Sequence, residues 1–211
     1  DTIVSPNWLE KLIKTLNASP KLGILGTLTK ASTAIDPLHM DSHHSLSLHK
    51  GLVPNKGLGM TLADINKYLE THYSGRTYDI SFVAFLCAVI KREVLDKIGL
   101  LDPNYAMGMW DDNDYNEATR RAGWETKIAI DTCIYHRGRS TFANIQAQEN
   151  FNVDKLLRTN KKYLDTKWNS LDTSIISRAI FDKLSEVPDL GNLTSKRLEL
   201  IQRYFINSLK N

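Results

Sequence analysis

Hydrophobic residues recur along this chain at helical spacing in some stretches and as continuous, strand-like runs in others. A first helical stripe follows Pro6, the expected first residue of a helix that should end near Ser19 and Pro20, and consists of Trp8, Leu9, Leu12, Ile13 and Leu16. Helical spacing resumes over residues 60–73. A short helix is predicted over residues 92–98, where Gly99 closes it.

Four other stretches predict strands. Residues 22–28 form an apolar run whose two glycines allow a neighbouring backbone or a ligand to approach closely. Residues 81–90 are continuously apolar and β-prone, which indicates a central strand buried on both faces. Residues 126–130 predict a strand that Asp131 should break, and residues 132–136 a further extended piece. The alternation of helices and strands indicates an α/β layered domain.

The stretch between the first predicted strand and the second helix has no sustained period. We expect residues 29–59 to form a long loop, and such loops often act as lids over functional sites. The loop carries four histidines, His39, His43, His44 and His49. Because no cysteine or acid cluster accompanies them at ligand spacing, a solvated loop is favoured over a zinc site.

Three carboxylates crowd the start of a helix in the middle of the chain. Asp111, Asp112 and Asp114 follow Trp110, which should be buried, and the helix they begin should stop at Gly123. A helix N-terminus tolerates negative charge, but mutual repulsion should raise at least one pKa. N-capping by Asp111 or Asp112 is the alternative. Because a cap needs one carboxylate, three together favour a general base or a metal site.

A second polar group follows the last predicted strand. His136 comes just past that strand, where α/β folds usually keep their ligand groups, and Arg137, Arg139 and Ser140 follow it around a glycine. Two guanidinium groups and a hydroxyl suit a phosphate. A structural histidine followed by an ordinary basic loop is an equally good explanation of the chemistry alone.

Composition narrows the class of protein. The 211 residues, 42% of them hydrophobic, suffice for one domain, or for one domain with an appendage. A net charge of +3, with 27 basic residues spread along the chain, argues against nucleic acid as the main partner. Cys87 and Cys133 lie in apolar runs, which indicates buried thiols in a reducing compartment. No apolar run is long enough to span a membrane and no signal peptide is recognisable, so we expect a cytoplasmic protein.

Seven short segments occur in the order that one enzyme family shows. They are residues 1–9, 22–27, 87–94, 99–102, 110–114, 121–124 and 136–140, with Asn160, Tyr163 and Lys167-Trp168 near the end of the match. Each segment alone is weakly specific, but the ordered set resembles family 2 glycosyltransferases of the GT-A fold, of the bacterial polysaccharide rhamnosyltransferase kind. The resemblance covers residues 1–168 and implies a mixed sheet flanked by helices, with residues 169–211 as a C-terminal helical extension. The strands that hold the nucleotide would precede Asp1, so the missing N-terminal half of the same domain would be a partner.

The resemblance also implies roles for individual residues. Asp1 matches an acid that binds Mg²⁺ or Mn²⁺ on the nucleotide diphosphate, and His136 matches a histidine near that metal and diphosphate. Asp112 matches the general base, with Asp111 beside it. The segment that closes over the diphosphate of the donor would carry Arg137, Arg139 and Ser140. The acceptor side would include Trp110, Asp114 and Phe85, the last at a position where the family often has glycine.

The implied activity is the inverting, metal-dependent transfer of a sugar from a nucleotide-diphosphate sugar to a saccharide or lipid-linked acceptor in cell-surface polysaccharide synthesis. The rival interpretation is a non-catalytic binding or oligomerisation module that keeps half of the fold. Beyond the match, residues 172–184 and 194–209 are predicted helices. The second is basic and amphipathic, so it suits peripheral membrane contact, although packing onto the domain is favoured.

Overall fold

A computed structural model of the chain describes residues 2–31, 53, 59–136 and 152–168, which combine a mixed β-sheet with helices. Several predictions concern residues outside these ranges. They are the metal-binding role of Asp1, most of the histidine-containing loop, the diphosphate contacts of Arg137, Arg139 and Ser140, and the helices of residues 169–211.

The sheet has five strands within the described residues. In chain order they are β1 (Thr2–Ile3), β2 (Leu22–Ala31), β3 (Thr77–Asp79), β4 (Ala88–Ile90) and β5 (Glu125–His136). The spatial order is β1-β5-β2-β4, with β3 also paired to β5. The two long strands, β2 and β5, run parallel to each other, and the three short strands pair with them in antiparallel fashion. The expected α/β class and mixed sheet are therefore confirmed.

Helices cover both faces of this sheet. They are α1 (Trp8–Ala18), α2 (Leu62–Tyr73), α3 (Arg92–Ile98), α4 (Asp111–Arg121) and α5 (Val153–Lys167). On one face, α1 buries Leu12 and Leu16 against a small core that includes Leu25. On the other face, α2, α3 and α4 pack on a larger core that includes Ile24. Because neighbouring residues of a strand point to opposite faces, Ile24 and Leu25 separate the two cores.

The predicted helices before the acidic stretch are present, with small shifts at their ends. α1 begins at Trp8, not at Pro6, because Asn7 precedes it in a left-handed conformation with φ of 58°. α2 begins with a capping box, in which Thr61 and Asp64 each bond the other's backbone N–H. α3 ends at Gly99, whose φ of 85° suits glycine.

The prediction of one central strand over residues 81–90 is wrong. Only Ala88–Ile90 form a strand, and β4 pairs with β2 alone. Residues 81–87 are irregular, because Asn116 of α4 takes the place of a neighbouring strand: its side chain accepts from the N–H of Val83 at 3.0 Å and donates to the carbonyl of Val83 at 2.8 Å. Phe82, Val83 and Ala84 are buried, so the apolar run marks burial without a strand. Cys87 is accordingly only partly buried, whereas Cys133 is fully buried, and neither is in a disulfide.

The prediction that Asp131 breaks a strand is also wrong, as is the assignment of residues 29–31 to a loop. β5 is continuous and bulges at Asp131: Thr27 of β2 lies opposite Ala129, but the next residue, Leu28, lies opposite Cys133. The buried Asp131 carboxylate accepts from the N–H of Gly75 at 2.7 Å. β2 then continues to Ala31, which lies opposite His136.

Side chains of α3, α4 and the segment after α4 pack closely over Gly23. A Cβ at Gly23 would lie 2.8 Å from the Cβ of Trp124, 2.9 Å from Cγ2 of Val94 and 3.1 Å from Cγ2 of Thr119. The atoms that approach this glycine belong to side chains, and not to the backbone or ligand that the sequence led us to expect. Because Thr119 belongs to the last turns of α4, that end of the helix lies at the beginning of β2. The acidic first turn of α4 therefore points toward the carboxyl ends of β2 and β5.

Within the described residues, no helix is both long and apolar enough to cross a lipid bilayer.

Candidate active site

The turn that leads into α4 carries unusual backbone geometry. Ala106, Met109 and Trp110 have φ values of 51°, 66° and 74°, and Gly108 between them has φ of 93°. A non-glycine residue with a positive φ is strained by about 1–3 kcal/mol, and such residues are common at functional sites. Here they lie immediately before Asp111 and Asp112.

Neither acid acts as the cap of α4. The N-cap position is Trp110, and no side chain makes a capping hydrogen bond there. Asp111 and Asp112 instead occupy the first turn of the helix, together with Asp114 two positions after Asp112. The capping alternative is therefore wrong for this helix, and the two paired acids need another explanation.

Asp112 is held in a partly buried position by backbone donors. Its carboxylate accepts from the N–H of Asn113 at 2.9 Å and also from the N–H of Phe85, in the irregular segment that crosses beside α4. Burial, followed by the negative charge of Asp111, raises the pKa of Asp112 to about 7. The expectation that one acid of the group has a raised pKa is confirmed, although burial contributes more than repulsion. In the described part of the chain, no lysine or arginine forms an ion pair with Asp112.

Of the two predicted acceptor-side aromatics, Phe85 contacts this carboxylate through its backbone, and Trp110 comes two residues before it in the chain. Phe85 supplies the N–H just described, and its ring packs edge-on against Tyr115 with 5.8 Å between ring centroids. Trp110 precedes the acids directly and is partly buried, with the ammonium group of Lys161 5.6 Å from its ring centroid. The indole N–H of Trp110 is buried without a hydrogen-bond partner among the described residues.

Asp114 lies in a different environment. Its side chain is 5% exposed and accepts from the ammonium group of Lys167 at 2.9 Å and from the indole N–H of Trp168 at 2.7 Å. Lys167 also donates to Asp102 at 2.7 Å, and Asp102 accepts from the hydroxyl of Tyr163 at 2.9 Å. We call Asp102, Asp114, Tyr163, Lys167 and Trp168 the α5 clamp. Both carboxylate oxygens of Asp114 are engaged there, so the structure places this residue between α4 and α5.

In the α5 clamp, Lys167 and Asp102 shift each other's pKa values toward the charged forms. The hydrogen bond from Lys167, supported by the N–H of Asn104, holds the pKa of Asp102 well below its usual range. Burial lowers the pKa of Lys167, but its hydrogen bonds to Asp102 and Asp114 outweigh burial and raise it. The guanidinium of Arg121 lies 4.7 Å from the ring centroid of Trp168. The end of α5 is thus tied to α4 through paired charges.

Asn160, in the middle of α5, makes contacts that the sequence analysis did not predict. Its side-chain amide donates to the carbonyls of Tyr105, Gly108 and Met109 at 2.9, 2.7 and 3.1 Å. Asn160 is buried, although it lies in a polar stretch of sequence. A single asparagine in a polar stretch does not predict such a role, because the sequence does not show which backbone carbonyls its amide will bond.

His136 ends β5 on the side of the sheet toward which the first turn of α4 points. It is partly buried and lies opposite Thr2 of β1 and opposite Ala31 of β2. Phe85, which bonds Asp112, comes three residues before Ala88, and Ala88 lies opposite Gly26. Because β4 runs antiparallel to β2, the chain before Ala88 leads toward the Ala31 end of β2, where His136 also lies. The acid pair and the imidazole therefore lie toward the same end of the sheet.

Of the two residues expected to bind a divalent metal, only His136 lies within the described residues. His136 lies opposite Thr2 in the pairing of β1 with β5. Within the described residues, no group of three His, Cys, Asp or Glu side chains is arranged to hold a metal ion. A carboxylate and an imidazole are nevertheless suitable ligands for Mn²⁺, with a diphosphate completing the set.

Comparison of the chain with protein-family models, with curated proteins and with solved structures finds no match. The case for a function therefore rests on the residues and their arrangement.

Proposed function

We propose that this chain is the acceptor-side part of an inverting, metal-dependent glycosyltransferase that moves a sugar from a nucleotide-diphosphate sugar to a saccharide or lipid-linked acceptor. The observation that carries the proposal is the environment of Asp112. A carboxylate at the start of a helix, held by backbone N–H groups and with its pKa raised to about 7, is suited to accept a proton at neutral pH. The ordered motifs of the sequence supply the reaction class.

The reaction needs such a base because a sugar hydroxyl is a poor nucleophile. As the hydroxyl oxygen of the acceptor forms a bond to the anomeric carbon, the bond from that carbon to the diphosphate oxygen breaks, and the hydroxyl proton passes to Asp112. Asp111 contributes by making Asp112 more basic. Solvent then takes the proton from Asp112, which restores the base for the next turnover.

Acceptor and donor occupy separate regions in this proposal. The acceptor side consists of Trp110, two residues before Asp112, and Phe85, whose N–H bonds Asp112. Asp1 and His136 would hold Mg²⁺ or Mn²⁺, which would supply positive charge against the leaving diphosphate. Arg137, Arg139 and Ser140 would contact the same diphosphate, as the resemblance implies. The donor sugar would lie between Asp112 and His136, and the resemblance implies that strands of a longer protein would hold the nucleotide.

The setting of the protein is part of the same proposal. We place it in the cytoplasm, where nucleotide sugars are made, as an enzyme of cell-surface polysaccharide synthesis. Nucleic acid is not proposed as a partner.

Donor binding is the first test. Calorimetric titration of UDP, GDP and dTDP with Mn²⁺ should detect binding to a protein extended upstream of Asp1, and weak or no binding to the 211-residue chain. Asp1→Ala in the extended protein should abolish this binding. If the extended protein binds none of the three nucleotides, the non-catalytic module becomes the better interpretation.

Transfer itself is the second test. Asp112→Asn in the extended protein should lower kcat by roughly 10²- to 10⁴-fold, the usual contribution of a general base, and leave donor affinity unchanged. Asp96→Asn, on the exposed side of α3, is the matched control and should transfer at the normal rate. Wild-type transfer by Asp112→Asn would eliminate the proposed role.

A further inference from the structure

The side-chain hydrogen bonds of Asn160 to described residues all end on the backbone just before the helix of the proposed base. All three of its hydrogen bonds reach carbonyls between Tyr105 and Met109. That segment contains Ala106, Gly108 and Met109, each with positive φ, and Trp110 with positive φ follows directly. One side chain on a distant helix therefore holds the strained turn from which α4 begins.

We propose that Asn160 is a positioning residue of the transfer reaction, which fixes the turn before α4 so that Asp112 and Trp110 are held in place. This inference rests on the proposed function. The two N–H bonds of the amide serve three carbonyls, so the amide fits that turn in one orientation. A turn with several residues of positive φ persists only where its surroundings over-determine it, and Asn160 provides that constraint.

The attachment of α5 does not require Asn160. Tyr163 and Lys167 bond Asp102, and Lys167 and Trp168 bond Asp114, all within the last turns of α5. These contacts already fasten the helix to the domain. The bonds of Asn160 add no second attachment to α4 or to the sheet, because they end on the turn alone.

A small movement of this turn would displace Asp112 directly, because α4 begins at the end of the turn. The carboxylate of Asp112 depends on two N–H groups from different segments, Asn113 in α4 and Phe85 across from it. Both bonds require the start of α4 to keep its position relative to the Phe85 segment. A displacement of about 1 Å at a reacting group lowers the rate roughly a hundredfold.

The test compares two buried asparagines. Asn160→Ala removes the amide, and Asn160→Asp keeps its shape but not its donors. Asn66→Ala is the matched control: Asn66 is also buried on a helix and donates to Leu62 and Cys133 carbonyls at 2.9 and 2.7 Å, but its partners lie in α2 and β5. All variants are made in the 211-residue chain, with ¹³C-labelled aspartate and ¹⁵N-labelled tryptophan.

Two NMR signals report on the turn without any need for activity. Both Asn160 variants should move the indole ¹H–¹⁵N signal of Trp110 and change the pKa of Asp112, because a loosened turn alters both the burial of the carboxylate and its bonds from Asn113 and Phe85. Asn66→Ala should leave both signals at their wild-type positions, although its melting temperature falls by a similar amount. In the extended protein, the Asn160 variants should lower kcat roughly a hundredfold with the donor KM little changed.

The outcomes separate this inference from the proposed function. If Asn160 variants move both signals but Asp112→Asn transfers normally, Asn160 still positions the turn and the role of the base is wrong. If the Asn160 variants leave both signals unmoved, or if Asn66→Ala moves them equally, the positioning role is overturned. If Asn160→Ala does not fold, Asn160→Asp decides; failure of both to fold would show a general structural role and also overturn the proposal.

Discussion

Asp112 and Asp114 are two residues apart on the same helix, yet they lie in opposite electrostatic environments. At 100° per residue, two helical positions face nearly opposite directions. Asp114 faces α5, where Lys167 and Trp168 occupy both of its oxygens. Asp112 faces the Phe85 segment, where it receives only backbone N–H groups and has Asp111 as its nearest charge. Both residues are aspartates, so the difference between their environments comes from the residues around them.

The difference separates a structural carboxylate from a reactive one. In the α5 clamp, a cation accompanies the acids into the protein, and the pKa of Asp102 stays well below its usual range. At the acid pair, burial comes without a cation, and the pKa of Asp112 rises. The first arrangement stabilises the fold, whereas the second destabilises it at neutral pH and supplies a base.

The largest expected change comes from removing the cation of the clamp. Lys167→Met leaves Asp114 buried without its cation, with only the indole N–H of Trp168 as a hydrogen-bond donor, which should lower the free energy of unfolding by about 3 kcal/mol at pH 7. We expect the lower end of the usual range because the Lys167 side chain is 31% exposed. Lys162→Met, on an exposed position of the same helix, is the control. Urea unfolding measures both, and equal stability of the two variants would show that the clamp does not stabilise the fold.

A somewhat smaller change is expected from Asp112→Asn, with a definite pH dependence. A carboxyl whose pKa is raised from 3.8 to about 7 binds more protons in the folded state between these values, so stability falls as pH rises through that window. Between pH 5 and pH 8 this amounts to about 2.5 kcal/mol. Asp112→Asn has no carboxyl group to titrate and does not lose stability in this way. The free energy of unfolding of the variant minus that of wild type should therefore be about 2.5 kcal/mol higher at pH 8 than at pH 5. A constant difference in urea unfolding at the two pH values would contradict the raised pKa.

The smallest effect isolates the contribution of Asp111. Asp111→Asn removes the negative charge next to Asp112 but leaves the burial of Asp112, which is the larger cause of its raised pKa. The pKa of Asp112 should therefore fall by about one unit and remain above its ordinary value. Titration of the variant by NMR measures this shift. A return to an ordinary aspartate pKa would show that repulsion, not burial, controls the site.

Local sequence patterns predicted much of the scaffold. Helical spacing placed α1, α2 and α3, the three acids marked the start of α4, and the apolar run with Gly23 marked β2. The run over residues 81–90 misled because apolar residues become buried in irregular segments as readily as in strands. Val83 satisfies its backbone through Asn116, and the sequence gives no sign of that contact between residues 33 positions apart.

The candidate site was predictable only in part. The crowding of acids indicated a raised pKa, but it did not show that Asp112 carries it and that Asp114 is paired. That division depends on Lys167 and Trp168, which lie 53 and 54 positions farther along the chain. The constraint from Asn160 on the turn at Gly108 is equally non-local, with a separation of 52 positions. Contacts of this range have no local pattern in sequence.

The pH titration of ¹³C-labelled aspartate side chains in the 211-residue chain tests the central claim most directly. Asp112 should titrate with a midpoint of about 7, while Asp102 stays ionised down to the lowest pH at which the chain remains folded. An Asp112 midpoint near the ordinary aspartate value of about 4 would mean that the site does not provide a base at neutral pH, and it would contradict the account.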